Sequence, residues 1–352
     1  MMRDVSSLRQ THLRFFRKSA ESVLTDYFSI ELQKEVGSGY AGTVYRGLKT
    51  RGSNREEVVA VKHIRKSKVK GHLIDNEVRL LRMAQGNHVV HYRSAFECLD
   101  SYLLVTELCG QGDLHSLLHY LDSSEVMARD FMRGVAEGLE GLHEKLIAHC
   151  DIKMKNILIS DKNVPKIADF GFAMLMNHSE EKTSICHGTK DYWAPEMFLP
   201  SPNFNPFKAD VYALGVTFLG VCEKRPIKRK DDDINRIVRH IEDPRKKALF
   251  EGLLDPSPKS RSELDVMKRN RWMTEGGRTE RISVDRLKPA QVDPTHPVHL
   301  QQPARRGRPP VLREPKPTVR STDGREQDTE AVHHRQLTTP AGRRVRPPTR
   351  YQ

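Results

Sequence analysis

A short segment near the middle of the chain carries several side chains that could act together on one substrate. It holds Asp151, Lys153 and Asn156, and Asp169 follows Asn156 by thirteen residues. A carboxylate can accept the proton of a hydroxyl nucleophile, and an ammonium can stabilise a phosphate during transfer. An amide oxygen and a second carboxylate are hard ligands that suit Mg²⁺. The spacing predicts phosphoryl transfer, with Asp151 at the hydroxyl, Lys153 on the phosphate, and Asn156 and Asp169 on the metal. The alternative is that these are ordinary polar and acidic residues of a turn-rich region. All four residues would then match the needs of phosphoryl transfer by coincidence.

A glycine-rich stretch upstream could bring the backbone close to a phosphate. Gly37, Ser38, Gly39 and Gly42 lie between two predicted strands, and glycine lacks the side chain that would block such an approach. Val44 follows and could cover a flat ring. Because glycine-rich turns are common, an ordinary hairpin explains this stretch better when it is taken alone.

A lysine and a glutamate could form the next part of such a site. Lys62 ends the strand-like run Val59-Ala60-Val61-Lys62, and Glu77 follows on the next predicted helix, on the same face as Leu73 and Leu81. An ion pair between Lys62 and Glu77 would hold the ammonium against the α- and β-phosphates of a nucleotide. The alternative is an ordinary surface salt bridge, which contributes little to stability.

The elements that must position these groups fall into a strand-rich part and a helix-rich part. Alternating and β-branched runs predict strands at 28–36, 43–48, 58–64, 88–96 and 102–108. Apolar residues three and four apart predict helices around 73–81, 114–121 and 124–143. This order predicts an α+β fold of two lobes, a β-rich first lobe with one helix and an α-helical second lobe.

In this order the motifs resemble the eukaryotic protein kinase superfamily. The matching motifs are the glycine-rich loop, Val59–Lys62, Glu77, the loop His149–Asn156, Asp169-Phe170-Gly171 and Ala194-Pro195-Glu196. Farther on, Asp210 resembles the buried aspartate that holds the family's catalytic loop, and Arg261 resembles the partner of Glu196. The resemblance covers about residues 27–273. It implies a bilobal protein kinase fold that binds ATP and Mg²⁺ between the lobes.

The resemblance also implies which residues bind ATP. Thr106 would be the gatekeeper, and the backbone of Glu107 and Cys109 would bind the adenine edge. The residues expected to sandwich the ring are Val44, Ala60 and Leu158. The full set expected to bind the nucleotide is Val36, Gly37, Ser38, Gly39, Gly42, Val44, Ala60, Lys62, Glu77, Thr106, Glu107, Cys109, Leu158 and Asp169. The expected regulatory spine is Leu81, Tyr92, His149 and Phe170.

Two features favour serine and threonine as acceptors. Lys153 stands two residues after Asp151, and Gly188-Thr189 precedes Tyr192, which resembles the Ser/Thr branch of the superfamily. The chain is therefore expected to transfer the γ-phosphate of ATP to Ser or Thr of protein substrates. One alternative is a pseudokinase scaffold that binds partners without turnover. Another is a kinase whose tail makes weak contact with nucleic acid.

Two of the positions that depart from the superfamily pattern bear on regulation and substrate choice. Cys150 replaces the arginine that usually precedes the catalytic aspartate and grips a phosphorylated residue, and a thiol cannot make those charge-assisted hydrogen bonds. We therefore hypothesise that activity needs no phosphorylation of Thr183 or Ser184. Cys150 itself is expected to be a quiet, buried residue rather than a reactive thiol. Lys155 stands where kinases of basic substrates often place glutamate, which predicts no preference for arginine two residues before the acceptor.

Composition bounds the class of protein and its compartment. The chain has 352 residues, a formal net charge of +13 and a pI near 9.5, which could reflect contact with nucleic acid or acidic lipid. Five scattered cysteines without CxxC spacing argue against a disulfide framework or a zinc site. The basic N-terminus has no apolar signal region, and the apolar run 211–221 is too short to cross a bilayer. We expect an intracellular monomer without a membrane span, cytoplasmic, with a nuclear location as an alternative.

The two ends of the chain differ from the part between them. Residues 1–26 carry apolar side chains among charges, which predicts an amphipathic helical extension that docks on the domain behind it. Residues 274–352 hold 16 Lys and Arg, 9 Asp and Glu, 11 of the 20 prolines and a single aromatic residue. Such a segment cannot bury enough apolar surface to fold, so a disordered basic tail is predicted.

Two parts of this tail resemble known motifs. Residues 305–309 contain the RGRP core of AT-hooks, which enter the minor groove of AT-rich DNA. A solvated Pro/Arg-rich run explains this core better, and a nuclear localisation patch is a further alternative. Residues 282–290 and 342–351 resemble the C-terminal end of retrotransposon integrase polyproteins, without an integrase core before them. We hypothesise that a transposon-derived end was joined to a kinase near Thr274, in the genome or in a faulty gene model.

Overall fold

The computed structural model describes residues 13–24, 34–38, 42–49, 57–121 and 125–275. The expectations for residues 1–12 and 25–33, for Gly39 at the tip of the glycine-rich stretch, and for the tail beyond residue 275 lie outside the described residues. All described residues belong to one structural unit.

A six-stranded sheet builds the first lobe. Its strands are β1 (Arg14–Phe15), β2 (Lys34–Ser38), β3 (Thr43–Lys49), β4 (Glu57–Arg65), β5 (Tyr92–Glu97) and β6 (Ser101–Glu107). They lie in the order β1-β5-β6-β4-β3-β2, and every neighbouring pair is antiparallel except β1 with β5. On β4 the side chains alternate, so that Val59 and Val61 are buried on one face while Ala60 and Lys62 lie on the other. The prediction that Lys62 ends this strand is wrong, because β4 continues its ladder with β6 up to Arg65.

Helix α2 (Gly71–Met83) follows β4 and packs beside β5. Its buried residues have helical spacing and are Ile74, Glu77, Val78, Leu80 and Leu81. Glu77 therefore shares the core-facing side with Leu81, as predicted. The prediction that Leu73 also lies on that side is wrong, since Leu73 is 47% exposed. It lies in the first turn, before the buried stripe begins.

The N-terminal segment, residues 13–24, packs against the sheet. Its strand β1 extends the sheet beside β5, and its helix α1 (Ala20–Val23) covers one face. Phe16 contacts Phe96 with ring centroids 5.6 Å apart. The residues of the cluster formed there are Ala20, Val23, Leu24, Val59, Val61, Phe96, Cys98, Leu103 and Val105. Within the described residues the segment therefore docks through a two-residue strand and one helical turn, not through a single amphipathic helix.

Helices and two short strand pairs build the second lobe. The helices are α3 (Leu118–Leu121), α4 (Glu125–His143), α5 (Pro206–Cys222), α6 (Ile234–Arg239), α7 (Pro244–Leu253), α8 (Asp265–Arg269) and α9 (Arg271–Thr274). Strand β7 (Ile147–Ala148) pairs with β10 (Met174–Leu175), and β8 (Ile157–Ile159) pairs with β9 (Pro165–Ile167). Helix α5 is the centre of this lobe, because it is buried along nearly its whole length. Asn205 caps it by accepting hydrogen bonds from the N–H groups of Phe207 and Lys208.

The β-rich first lobe and α-helical second lobe confirm the predicted α+β bilobal fold. The helix predicted at 114–121 is helical only from Leu118. Its first residues form turns instead, because the Asp113 carboxylate accepts hydrogen bonds from the N–H and hydroxyl of Ser116 at 2.9 and 3.1 Å. None of the helices in the described ranges combines the length and apolar character that a bilayer span requires.

Candidate active site

Asp210 on α5 fixes the backbone of the loop that carries Asp151, Lys153 and Asn156. Its carboxylate accepts hydrogen bonds from the N–H of His149 at 2.7 Å and of Cys150 at 2.8 Å. The Nε2 atom of His143 lies 3.1 Å from the same carboxylate. Cys150 adopts a left-handed backbone conformation, with φ at 63°, which non-glycine residues rarely occupy. The hydrogen bonds that Asp210 accepts therefore offset the strain of this bend.

Asp151, the expected catalytic carboxylate, is buried, and its side chain accepts four hydrogen bonds, three from side chains and one from a backbone N–H. Its Oδ1 accepts the N–H and the hydroxyl of Thr189 at 2.9 and 2.8 Å. Its Oδ2 accepts Lys153 Nζ at 2.6 Å and Asn156 Nδ2 at 2.9 Å. Lys153 Nζ also donates to Thr189 Oγ1 at 2.8 Å, which closes the network. The structure thus brings Asp151, Lys153 and Asn156 together.

Asn156 is oriented by its amide nitrogen. Nδ2 donates to the backbone oxygen and to Oδ2 of Asp151, both at 2.9 Å. Because the nitrogen is engaged on Asp151, the amide oxygen is the atom that remains to bind a metal. The N–H of Ala168 donates to the Asn156 carbonyl at 2.8 Å. The residue before Asp169 is therefore attached to Asn156, which brings both expected metal ligands to one neighbourhood.

Lys62 links both lobes. Its ammonium donates to Glu77 Oε1 on α2 and to Asp169 Oδ1, both at 2.8 Å, and the Glu77 side chain is only 4% exposed. Burial would lower the pKa of Lys62, but the two carboxylates outweigh it and raise that pKa above its ordinary value. Burial likewise opposes ionisation of Asp169, yet the Lys62 ammonium lowers the pKa of this carboxyl. Lys62 and Asp169 are therefore charged at neutral pH. The surface salt-bridge alternative does not describe the Lys62–Glu77 pair, because the Glu77 carboxylate is buried.

The Asp169-Phe170-Gly171 segment is anchored by its central ring. Phe170 is buried and packs edge-on against His149, with centroids 5.1 Å apart and an interplanar angle of 71°. The other expected spine residues, Leu81 and Tyr92, belong to or pack against the same main core. Asp169 has a φ of 64°, and its side chain remains 47% exposed. A ligand can therefore reach the Asp169 carboxylate.

The glycine-rich stretch joins two adjacent strands. Gly37 and Ser38 form the end of β2, and Val44 lies on β3 opposite Gly37. At Gly42 a Cβ atom would lie 2.2 Å from the carbonyl oxygen of His63, so this position excludes any side chain. The stretch therefore lies against β4 close to Lys62.

Two of the residues expected to sandwich an adenine ring lie on adjacent strands of the first lobe, Val44 on β3 and Ala60 on β4. Ala60 stands opposite Thr106 in the ladder between β4 and β6. The Thr106 hydroxyl donates to the carbonyl of Glu107 at 3.2 Å. Val36 on β2 is 46% exposed, so its side chain is accessible to a ligand.

The segment that follows β6 connects the lobes and contains the expected adenine-edge groups. The N–H of Glu107 donates to the carbonyl of His91 at 2.9 Å and is therefore already engaged. The backbone group of Glu107 that remains to bind an adenine edge is its carbonyl. Cys109 is buried, and burial raises the pKa of its thiol to about 12. Leu158 on β8 forms a bridge with Asp113 and packs partly buried against the main core.

Asn156 and Asp169 together suit a metal ion whose remaining ligands are water and the phosphates of a bound nucleotide. Within the described ranges, no three or more His, Cys, Asp and Glu side chains cluster so as to hold a metal ion by themselves. Asn156 and Asp169 offer one amide oxygen and one carboxylate. This pair matches Mg²⁺, because Mg²⁺ keeps several waters and is completed by substrate phosphates rather than by a protein cage.

Thr189 is a functional contact that the sequence pattern did not predict. It lies 38 residues from Asp151 and 36 from Lys153, yet it hydrogen-bonds to both. The adjoining Gly188 has a φ of 86°, and a Cβ atom there would lie 2.3 Å from the carbonyl oxygen of Cys150. The Gly188-Thr189 pair is the signal that could have revealed this close approach.

The end of the segment after Thr189 is fixed by a buried ion pair. Arg261 donates to both carboxylate oxygens of Glu196, at 2.7 and 2.9 Å, and its side chain is fully buried. Arg261 also donates to the carbonyls of Lys208 and Asp255. This network satisfies the guanidinium and attaches the segment to α5.

Cys150 has the environment of an unreactive thiol. Burial, together with the nearby Asp210 and Asp151 carboxylates, raises the pKa of the Cys150 thiol well above its ordinary value. The thiolate is the reactive form of cysteine, and little of it exists here at neutral pH.

Comparisons with known proteins agree with this geometry. Residues 30–289 match the family described as protein kinase domain. Human serine/threonine-protein kinase ULK3 is 34% identical over 191 residues, which is 53% of this chain and 39% of that protein. Serine/threonine-protein kinase pakE of Dictyostelium discoideum is 29% identical over 66% of this chain and 24% of that protein. Mouse NUAK family SNF1-like kinase 1 is 28% identical over 73% and 40%. The chain thus spans about two fifths of these relatives or less.

Proposed function

Because the chain belongs to the protein kinase domain family, we propose that it transfers the γ-phosphoryl group of ATP to serine and threonine hydroxyls of protein substrates. The observation that supports this most is the Asp151 carboxylate, held between Thr189 on one oxygen and Lys153 and Asn156 on the other. A general base must lie within hydrogen-bond reach of the proton it removes and must be held in place. The hydrogen bonds to Asp151 meet the second of these requirements.

Asp151 accepts the proton of the acceptor hydroxyl in this proposal. Lys153 and Thr189 fix the direction of the carboxylate before substrate arrives, so little reorganisation is needed during the reaction. The Lys153 ammonium, which donates to Asp151 at 2.6 Å, would lie beside the reacting oxygen and stabilise the charge of the transferring phosphate.

Lys62, Asn156 and Asp169 hold the nucleotide. The Lys62 ammonium, positioned by Glu77 and Asp169, binds the α- and β-phosphates of ATP. The Asn156 amide oxygen and the Asp169 carboxylate would hold Mg²⁺. When bound, Mg²⁺ would neutralise part of the negative charge on the phosphates.

Phosphate transfer from γ-labelled ATP to a peptide library tests this function. We expect label on serine and threonine with the native chain, and a rate at least ~100-fold lower for Asp151→Asn at an unchanged melting temperature. If the native chain and Asp151→Asn both bind nucleotide but neither transfers phosphate, the proposal is overturned and the pseudokinase scaffold is favoured. Phosphoamino-acid analysis of the product separates serine and threonine from tyrosine.

We further infer an intracellular location. All five cysteines are free, which supports a reducing compartment. Fractionation of cells that produce a tagged chain tests this inference, and accumulation in the medium would contradict it.

A further inference from the structure

Four exposed lysines lie on segments that adjoin the Asp151 network, and we call them the basic rim: Lys155, Lys190, Lys228 and Lys230. Lys155 lies in the 3-10 turn that contains Asn156. Lys190 directly follows Thr189, which hydrogen-bonds to Asp151. The ammonium of Lys190 lies 5.6 Å from the ring centroid of Trp193, so its stem is held along the surface of this segment.

Lys228 and Lys230 belong to a loop that is attached to the same surface through Arg229. The Arg229 N–H donates to Asp191 Oδ1 at 3.2 Å. Its guanidinium donates to the Trp193 carbonyl and lies 4.6 Å from the ring centroid of Phe198. The side chain of Arg229 thus anchors the loop, and its two lysine neighbours remain exposed.

The same loop also packs against the catalytic turn. A Cβ atom at Gly220 would lie 2.3 Å from Met154 Cε and 2.8 Å from the carbonyl oxygen of Arg225. Met154 is the first residue of the turn that carries Lys155. Near Gly220 the loop is therefore close to the Met154 side chain, and through Arg229 it is attached to the segment that follows Thr189. All four lysines thus lie on segments that adjoin the Asp151 network.

The positive charge of the rim is not neutralised locally. Within the described residues, none of the four ammoniums forms an ion pair with a carboxylate. Asp191 accepts the Arg229 N–H, and Asp233 caps α6. The Asp232 carboxylate is paired with Arg225 at 2.8 Å and accepts the backbone N–H, not the ammonium, of Lys228 at 2.7 Å.

The other acidic residues of this loop line a cavity that is separate from the surface around Asp151. Residues 231–233 and Glu223 line a cavity of about 1040 Å³ whose lining includes α6 and α7 residues but none of residues 185–199. Within the part of the chain that the structure describes, these carboxylates therefore form no ion pair with the rim lysines.

We propose that the basic rim selects acceptor segments in which aspartate and glutamate flank the serine or threonine. This inference rests on the proposed function, because the acceptor hydroxyl must then reach Asp151. An extended polypeptide advances ~3.3 Å per residue, so the residues on either side of the hydroxyl pass over the rim. Their carboxylates would pair with ammoniums that lack an acidic partner among the described residues.

The expected size of this preference is moderate because the lysines are exposed. An exposed ion pair changes an equilibrium by a factor of roughly 1.5 to 5, and several act together here. We therefore expect kcat/KM for an acidic acceptor peptide to exceed that of a neutral peptide by at least about fivefold at low ionic strength. The ratio should fall as salt is added, since salt screens exposed charges.

Three peptides measure this preference with the full chain. Each carries a central serine, flanked on both sides by Glu, by Gln or by Lys. The rim variant combines Lys190→Gln, Lys228→Gln and Lys230→Gln. The matched control combines Lys68→Gln, Lys162→Gln and Lys259→Gln, which remove the same charge at exposed positions outside the rim. Melting temperatures verify that both variants are folded.

The native chain and the control should share a Glu-to-Gln ratio of at least about fivefold, and the rim variant should lower it below about twofold. Equal rates for the Glu and Gln peptides, or a preference for the Lys peptide, would overturn the inference while leaving the proposed function intact. An unchanged ratio in the rim variant would also overturn it. Absence of transfer to every peptide would instead contradict the proposed function, and this inference with it.

Discussion

The Asp151 carboxylate depends on a segment that approaches it from 38 residues away in the sequence. Thr189 donates two hydrogen bonds to Oδ1, and this approach requires Gly188. Gly188 has a φ of 86° and faces the Cys150 carbonyl so closely that a methyl group would displace the segment. The position of the carboxylate is therefore sensitive to a residue that carries no chemistry of its own.

Gly188→Ala should lower kcat by about 100-fold, because a displacement near 1 Å at a catalytic group is enough for such a loss. Transfer from γ-labelled ATP measures the rate. The matched control is Gly141→Ala on α4, where a Cβ atom meets nothing within 4 Å. That control should keep full activity and gain about 0.5–1 kcal/mol of stability from the better helix former. Full activity of Gly188→Ala would show that the Thr189 contacts are dispensable.

The two hydroxyl residues before Ile185 differ in their surroundings. Thr183 is buried, exchanges backbone hydrogen bonds with Phe204 and accepts the Ile185 N–H on its Oγ1 at 3.1 Å. Ser184 is exposed. Thr183 therefore has a structural contact that a phosphate group would break, and only Ser184 is accessible to modification.

Ser184→Ala should leave kcat within about twofold, since Cys150 provides no cation for a phosphate. Thr183→Ala should cost about 1 kcal/mol in the free energy of unfolding through the lost hydrogen bond. Phosphatase-treated protein serves as the control for both variants, and chemical denaturation gives the stability. A collapse of turnover in Ser184→Ala or after phosphatase treatment would refute independence from phosphorylation.

The contacts between residues of the site differ in how well the sequence could predict them. Asp151, Lys153 and Asn156 lie in one short loop, so their spacing alone implies that they meet. The pairing of Lys62 with Glu77 follows from a strand and the next helix. Thr189 could not be placed by such local reasoning, because its contact with Asp151 depends on how a long segment folds back.

At the scale of elements, the N-terminal segment is part of the first lobe. It adds a strand beside β5 and buries Val23 and Leu24 against the face of the sheet opposite Lys62. That face would otherwise expose Val59, Val61 and other apolar side chains to water. The segment therefore stabilises the sheet that carries Lys62.

Leu24→Ala should lower the free energy of unfolding by about 2–5 kcal/mol, as expected for a buried leucine replaced by alanine. The control is Phe15→Ala in the same segment, because Phe15 is 58% exposed. That change should stay within about 0.5 kcal/mol. Urea denaturation measures both. Equal stability of the two variants would mean that the segment does not support the lobe.

The order and type of most elements follow from periodicity, whereas their ends depend on local polar contacts. The strands predicted at 43–48 and 58–64 each gain a residue or two at one or both ends. The helix predicted at 114–121 is shortened because Asp113 bonds to Ser116 and stabilises turns. Leu73 shows a further limit, since helical spacing identifies a stripe but not the turn at which the stripe becomes buried.

At the scale of the whole molecule, burial raises the thiol pKa of all five cysteines. It raises the thiol pKa of Cys98 and Cys222 to about 11 and that of Cys109 to about 12. It also raises the pKa of Cys150 and Cys186. Each folded-state pKa lies above the ordinary value, so thiolate is scarce near neutral pH and increases as the pH rises.

Alkylation by iodoacetamide at pH 7.5 should therefore be at least ~10-fold slower in the native chain than in guanidinium. The native rate should increase when the pH is raised to 9, because the thiolate fraction grows with pH. Mass spectrometry of the digested protein assigns the label to each cysteine, and the unfolded chain is the control. One native cysteine that reacts as fast as it does in guanidinium would contradict this account of its environment.

The central claim is that both lobes contribute to one site, in which Lys62 and Asp169 act on the same magnesium-bound nucleotide. Calorimetric titration of the purified chain with ATP, with and without Mg²⁺, tests it most directly. Lys62→Met and Asp169→Asn should each weaken binding at least ~10-fold when Mg²⁺ is present. Lys66→Met, which removes a surface ion pair with Glu97, should leave it unchanged. Failure of the native chain to bind ATP with Mg²⁺, or equal affinity in all three variants, would contradict the claim.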